Sequence, residues 1–264
     1  MPSLSRKAAF EALYTRFNDP AWIHPDPLEF VVHYLRLHDR EIVALVAACL
    51  AYGRVQTILK SVSTVLAPME GRPRDFIDTH AAGDFAKIYH GFVHRFTKGS
   101  QIARLMIGIK KVLESHGSLY DCFLHRDTPG AETILPALEG FVHELEGAAG
   151  CPFPFLLPDP AKGSALKRLN LFLRWMVRRD RIDPGGWDAV SPARLIYPLD
   201  THIHAAARSL GFTRRKSADL KTALEITGRF RAVNPDDPVK YDFALARVGI
   251  LKVDSKSYDI LSVG

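Results

Sequence analysis

Strand-like alternation is scarce in this sequence. Apolar residues recur mostly at spacings of three and four, the period of a helix face, so a sheet-based fold is not expected and an all-α fold is. Cysteine is scarce as well. Cys49, Cys122 and Cys151 stand too far apart for a metal knuckle or a redox pair, which makes a reducing, cytoplasmic setting the expectation. Long apolar runs are missing: none approaches the roughly 18 residues that span a bilayer, so no membrane partner is expected. The first residues, Met1-Pro2-Ser3-Leu4-Ser5-Arg6-Lys7, lack the apolar core of a signal peptide. Internal repeats and low-complexity tracts are also lacking.

What is present is 264 residues, 47% hydrophobic and 24% charged, enough for a full core in one or two domains. The formal net charge of +6 fits a phosphate-bearing partner without requiring one. Taken in order, the spacing predicts a helix over Lys7–Phe17, a proline-rich arm over 19–27, and a helix over Leu28–Leu37. Asp39 is expected to cap the next helix, whose segment Ile42–Tyr52 is apolar on all sides and too short for a membrane. Gly53-Arg54-Val55-Gln56 interrupts that run before Ile58-Leu59 resume it. Pro68–Pro73 is expected to be a loop. Tyr89–Phe96 holds aromatic and basic residues that read either as a base-contacting cluster or as packed core with satisfied histidines. Amphipathic helices are expected over Ile102–Ser115 and Glu132–Leu145, followed by a segment containing Pro152, Pro154, Pro158 and Pro160. Near the end, Thr213–Lys216 is a basic turn, Ala218–Phe230 a helix with Asp219 near its start, and Val239–Leu251 the last helix, with Pro238 in its first turn.

The stretch from Lys162 to His204 carries the most chemistry. Leu166, Leu169, Leu173 and Met176 form one apolar helix face. Lys167, Arg174, Arg178 and Arg181 fall on another, since offsets of seven, eleven and fourteen return to nearly the same angle at about 3.6 residues per turn. Residues 162–181 hold seven Lys/Arg and one acid, Asp180. Gly163-Ser164, just ahead of this helix, can expose backbone N–H groups where a phosphate would sit. A loop with Asp183-Pro184-Gly185-Gly186 leads to Pro198-Leu199-Asp200-Thr201-His202, where Asp200 is placed to cap a helix over Thr201–Leu210.

Together these residues resemble the helix-hairpin-helix (HhH-GPD) DNA glycosylases, whose bifunctional members carry a Lys after the hairpin glycine and an Asp after a Gly/Pro-rich loop. The match is Lys167, then Pro198-Leu199-Asp200-Thr201-His202 and Ala207-Arg208-Ser209-Leu210-Gly211, with Phe243–Gly249 resembling the last core helix. Thirty-three residues separate Lys167 from Asp200, a spacing similar to that of the archaeal 8-oxoguanine glycosylases. The chain also resembles a bacterial family of uncharacterised proteins through Ser164-Ala165, Lys167-Arg168-Leu169 and Phe172–Met176. The resemblance covers residues 28–252. It departs from the family at the hairpin, where only Gly163 is present and Lys167 stands four residues beyond it, so Lys162 is the other candidate nucleophile. The four-cysteine iron–sulfur loop of some relatives is missing.

The resemblance implies a single helical unit of two lobes over 1–264, with the active site in the cleft between them. It implies base-excision chemistry on duplex DNA with a flipped damaged base, with 8-oxoguanine as the favoured lesion, by a monomer without cofactor or metal. Lys167 and Asp200 would be catalytic. Gly163, Ser164, Arg168, Arg174, Arg54, Gln56 and His202 would contact DNA, Arg54 or Gln56 filling the gap left by the flipped base. Two other readings compete. One is a non-catalytic DNA- or RNA-binding protein on the same fold. The other is a metal hydrolase using Asp200, His202 and His204, which the helical geometry disfavours because residues two apart point in different directions. Trp22, Trp175 and Trp187 are each either core or a platform for a base.

Overall fold

The computed structural model describes residues 6–153 and 155–251; Met1–Ser5, Pro154 and Lys252, named above, lie outside them. The described chain is mostly helical, with thirteen α-helices and one two-stranded ladder. It forms two compact units. One joins the residues up to His24 with those from Gly163 onward, and the other is Pro25–Lys162.

The chain begins with α1 (Arg6–Phe17) of the first unit. The second unit then runs through α2 (Leu28–Val32), α3 (Leu37–Leu50), α4 (Val55–Leu66), α5 (Pro73–Thr79), α6 (Ala82–Ile88), β1 (Val93–His94), β2 (Thr97–Lys98), α7 (Gly99–His116), α8 (Leu119–His125) and α9 (Leu135–Ala149). Helix α2 stops at Val32, short of the expected Leu37. The Tyr34 and Leu35 carbonyls instead accept from the Arg40 guanidinium at 2.8 and 3.3 Å. Helix α3 is the core of this unit: every residue from Ile42 to Ala51 is at most 3% exposed. Burying one such side chain contributes on the order of 1.5–3 kcal/mol, and the all-round apolar sequence leaves no wet face.

Asp39 does not cap its own helix. Helix α3 starts at Leu37, and the Asp39 carboxylate accepts from the Arg74 N–H in the first turn of α5 at 2.8 Å. Glu41, fully buried, accepts from the Leu119 and Tyr120 N–H groups that open α8, both at 3.0 Å. Two acids of α3 thus satisfy orphan donors of two neighbouring helices, with the positive ends of those helices favouring the buried charge. Helix α8, only seven residues long, is an element the sequence reading missed. Helices α7 and α9 approach closely at Gly108, where an added Cβ would stand 2.8 Å from the Leu145 carbonyl oxygen.

The first unit continues with α10 (Lys167–Val177), α11 (Thr201–Ser209), α12 (Leu220–Val233) and α13 (Asp242–Leu251). The last helix starts three residues later than expected, leaving Pro238 in the turn ahead of it. Phe10 of α1 packs on Tyr241 and Phe230 with ring centroids 5.1 and 5.4 Å apart, and Phe230 stacks on Tyr197 at 4.5 Å. Trp175 and Trp187 are fully buried, and Trp22 packs edge-on against Phe17 at 5.0 Å, so the three tryptophans serve packing. The long connection from α10 to α11 folds back along α10 through Gly185 N–H to Trp175 O at 3.0 Å and Trp187 N–H to Met176 O at 2.8 Å.

Glu41→Gln keeps the shape but replaces one acceptor oxygen by an amide group facing a donor. It is expected to destabilise the protein by about 1–3 kcal/mol in urea unfolding. Glu114→Gln, on the exposed end of an i,i+4 pair with Lys110, is expected to change stability by less than about 0.5 kcal/mol.

Candidate active site

Lys167 is the first residue of α10 and Asp200 is the N-cap of α11. The two oxygens of Asp200 have different partners. Oδ1 accepts from the Ile203 N–H at 2.9 Å, and Oδ2 lies 3.3 Å from Lys167 Nζ. The cap therefore orients the carboxylate and leaves one oxygen for the amine. The pair is reachable: the side chains are 36% and 22% exposed. Two helix N-termini meet here, and both favour negative charge nearby.

Lys162, the other candidate nucleophile, is exposed at the end of a short turn, Pro160–Lys162, and makes no ion pair among the described residues. Gly163 and Ser164 are both exposed, and the segment pairs locally with the start of α12. Ser164 bridges Asp219, and the Gly163 carbonyl accepts from Leu220 N–H at 3.0 Å. Gly163 has a φ of 74° and Leu166, just before α10, one of 52°, so the chain enters the helix through two left-handed residues. Arg168 is half-buried in the first turn. His202 is exposed on α11 and lies against Gly249 of α13, where an added Cβ would stand 3.2 Å from His202 Cβ. His204 Nε2 is 3.0 Å from the Arg215 carbonyl oxygen. Among the described residues no group of three or more His, Cys, Asp or Glu converges as metal ligands. Arg54 and Gln56 are exposed in the other unit, at the N-cap and second residue of α4.

Residues 26–251 match a family described as "Protein of unknown function (DUF2400)". The chain belongs to this family. No curated protein and no solved structure matches it.

Arg174 is a correction. Periodicity put it on the basic face and the resemblance implied a DNA contact, but in this family member it is only 3% exposed and is held between two carboxylates. Its Nη2 lies 3.1 Å from Asp183 Oδ1 and its Nη1 2.5 Å from Asp242 Oδ2. Arg178, also buried, pairs with Asp183, with Asp180 at 2.9 Å and with Asp237 at 2.9 Å. The Tyr14 hydroxyl donates to Asp180 at 2.9 Å. The basic face therefore points inward at Arg174 and Arg178, while Arg181 lies beyond the end of α10 and pairs with Asp19 at the surface at 2.8 Å. Sequence reasoning missed this network entirely. The available signal was that Arg174 and Arg178 bracket Trp175-Met176-Val177, and Asp183 follows within a turn or two.

Two guanidinium groups face four carboxylates, so the acids are not equivalent. Burial pushes Asp242 up to about 6 against the opposing pull of Arg174. Burial also raises Asp183 and Asp237. Asp180 goes the other way: burial works against its charge, but Arg178, two backbone N–H groups and Tyr14 hold it below the usual range.

Arg174→Met leaves Asp183 and Asp242 buried without this partner, and a loss of about 3–5 kcal/mol in chemical unfolding is expected. Asp242 also gives a pH signature. Its folded-state value lies above the unfolded one, so its contribution is complete below about pH 4 and is lost as pH rises through about 6. Asp242→Asn removes this fall, so the stability of the variant relative to wild type should improve between pH 4 and pH 7. Urea midpoints measured across that range check the sign.

Proposed function

We propose that this protein is a DNA base-excision glycosylase with Lys167-dependent AP-lyase activity, built on a two-lobed HhH-GPD-like helical fold. Its substrate is duplex DNA with a flipped damaged base, 8-oxoguanine being the favoured lesion, and it works as a cytoplasmic monomer. The observation that carries this reading is the 3.3 Å pair of Lys167 Nζ and Asp200 Oδ2, with the other Asp200 oxygen fixed by a helix N-terminus. An exposed Lys–Asp pair on a surface helix is ordinarily worth little. Here the cap orients the acid independently of the amine, which is what a proton-transfer partner needs.

A base inside the duplex must first leave the stack, at a cost of a few kcal/mol. Lys167 attacks as the free amine, and Asp200 Oδ2 is placed to take the proton it releases. A bond forms between Nζ and C1′ as the bond from C1′ to the base breaks, and the base leaves with the electron pair and is protonated. The positive charge that develops on the sugar is stabilised by the Asp200 carboxylate. Opening of the sugar ring gives the imine. Removal of a C2′ proton then expels the 3′ phosphate and nicks the strand.

The approach to α10 favours a second reading, a non-catalytic DNA- or RNA-binding protein. Only Gly163 of the hairpin glycines is present and Leu166 is left-handed, unlike a regular hairpin. That reading predicts salt-sensitive binding without base release.

Borohydride trapping on duplexes carrying 8-oxoguanine, uracil, thymine glycol or an abasic site separates the two. Wild type should form a covalent adduct with a lesion duplex. Lys167→Gln should form none, and Asp200→Asn should slow adduct formation by about a hundredfold or more. A Lys167→Gln protein that nicks and traps like wild type would show the lysine assignment to be wrong.

A further inference from the structure

In the second unit, β1 and β2 pair Val93 with Lys98 and His94 with Thr97, joined by Arg95 and Phe96. The tip is firmly braced from below. His94 and Thr97 are buried. His94 Nδ1 is 2.9 Å from Ser61 Oγ, and its Nε2 is 3.1 Å from the Tyr52 carbonyl oxygen. The Tyr52 hydroxyl donates to the His94 carbonyl at 2.7 Å and lies 2.8 Å from Thr97 Oγ1. Phe155 packs edge-on against Tyr52 at 4.8 Å and against Phe96 at 5.4 Å.

What this bracing displays is apolar. Val93 and Phe96 are each 66% exposed. The Arg95 guanidinium carbon lies 5.5 Å from the Phe96 ring centroid, and Arg95 takes a left-handed φ of 53°, a strained conformation for a long side chain. The Arg95 side chain runs over Gly53, where an added Cβ would stand 3.1 Å from its Cδ and Nη1. Gly53, with a φ of 99°, sits at the junction of α3 and α4, next to the exposed Arg54 and Gln56. Hairpin tip and helix junction thus form one surface.

The two stretches of chain that build it carry charge of one sign. Between Asp84 and Glu114 the chain has six Lys/Arg and no acid, and between Glu41 and Glu70 it has Arg54 and Lys60 and no acid. Among the described residues Arg54, Arg95 and Lys98 make no ion pair. A rigid exposed aromatic ring flanked by uncompensated cations is complementary to a flat base with phosphates on either side.

We propose that the Arg95–Phe96 tip is a stacking platform for an unpaired base of DNA, with Arg95 and Arg54 on the adjoining phosphates. This rests on the DNA reading above and adds a contact that the Lys167–Asp200 pair does not supply. The test uses the full-length protein and a duplex with 2-aminopurine opposite an abasic site, following both binding and probe fluorescence. Phe96→Ala should weaken binding about tenfold or more and abolish the fluorescence change on binding, while leaving the slope of log affinity against log salt unaltered. Phe96→Trp should restore both. Arg95→Gln should reduce that slope by about 0.9. Unchanged urea midpoints for these exposed-site variants confirm that folding is not the cause.

If Phe96→Ala binds and responds like wild type while Lys167-dependent trapping persists, the platform is wrong and the glycosylase reading stands. Phe96→Ala that abolishes self-association in sedimentation but leaves DNA binding intact would also overturn it, assigning the tip to a second copy of this chain. Wild type that binds no duplex and forms no adduct removes the DNA reading, and the platform with it.

Discussion

The pairing of two buried arginines with four aspartates is the constraint on which the first unit depends. Arg174 lies on α10 and Arg178 caps its C-terminal end, Asp180 and Asp183 lie on the chain that follows, Asp237 in the turn before α13, and Asp242 at the start of α13. Tyr14 ties α1 to the same set. A buried ion pair contributes little net stability against a hydrophobic alternative, because desolvation offsets the attraction. What it provides is a geometry with few alternatives: once the charges are buried, each must meet its partners or the cost is several kcal/mol. The network therefore fixes the register of α10 against the connection that folds back along it and against α13.

That register matters because Lys167 is two turns up the same face from Arg174. The angle that sends Arg174 toward Asp183 and Asp242 sends Lys167 to the end of α10, where Asp200 awaits it at 3.3 Å. Asp200 is placed independently, by capping α11 through Ile203 N–H. An amine placed by a helix register and a carboxylate placed by a cap are each positioned by their own helix, which is the preorganisation that the proposed chemistry would use. Both side chains remain partly exposed, unlike the arginines below them.

Much of the fold was legible because helix period and cap chemistry are local. The apolar run Ile42–Tyr52 has no polar side to give to water, so its burial followed from its composition. Asp200 caps its helix as its residue type and position suggested. Leu169, Leu173 and Met176 lie on α10 as their spacing put them, but Leu166 is the left-handed residue before it and Arg178 and Arg181 fall beyond its end; Asp219 caps α12 rather than lying inside it. Asp39 and Arg174 show where local reasoning stops. Asp39 is a good cap, but for α5 rather than its own helix, a partner thirty-five residues away. For Arg174, the 3.6-residue period correctly grouped it with Lys167 and Arg178 but could not tell whether the shared face was wet. That depended on Asp237 and Asp242, some sixty residues on, and no pattern in a single sequence announces such a match. Of the candidate site, Asp200 was legible from its capping position, whereas Lys167 was singled out by the family resemblance, with Lys162 as the alternative. The family match carries no activity with it, so the chemistry rests on that pair.

The same distinction decides how the net charge of +6 should be read. Charge that is consumed inside the fold cannot attract a partner. Arg174 and Arg178 are neutralised by buried acids, while Lys240 pairs with Glu11 at 2.8 Å and Arg215 with Asp219 at 2.9 Å closer to the surface. Asp219 in turn is held below the usual carboxylate range by the Thr222 N–H and the Ser217 hydroxyl, so that pair persists into acid. In the second unit Arg54, Arg95 and Lys98 make no ion pair among the described residues, and the sequence has no acid between Glu41 and Glu70 or between Asp84 and Glu114. With Asp183 and Asp242 buried in one unit, Asp39 and Glu41 buried in the other, and long stretches of the latter without an acid, the surface is more positive than the total suggests. For a phosphate backbone, whose attraction scales with the number of cations that reach it, that surface and not the net charge sets the affinity.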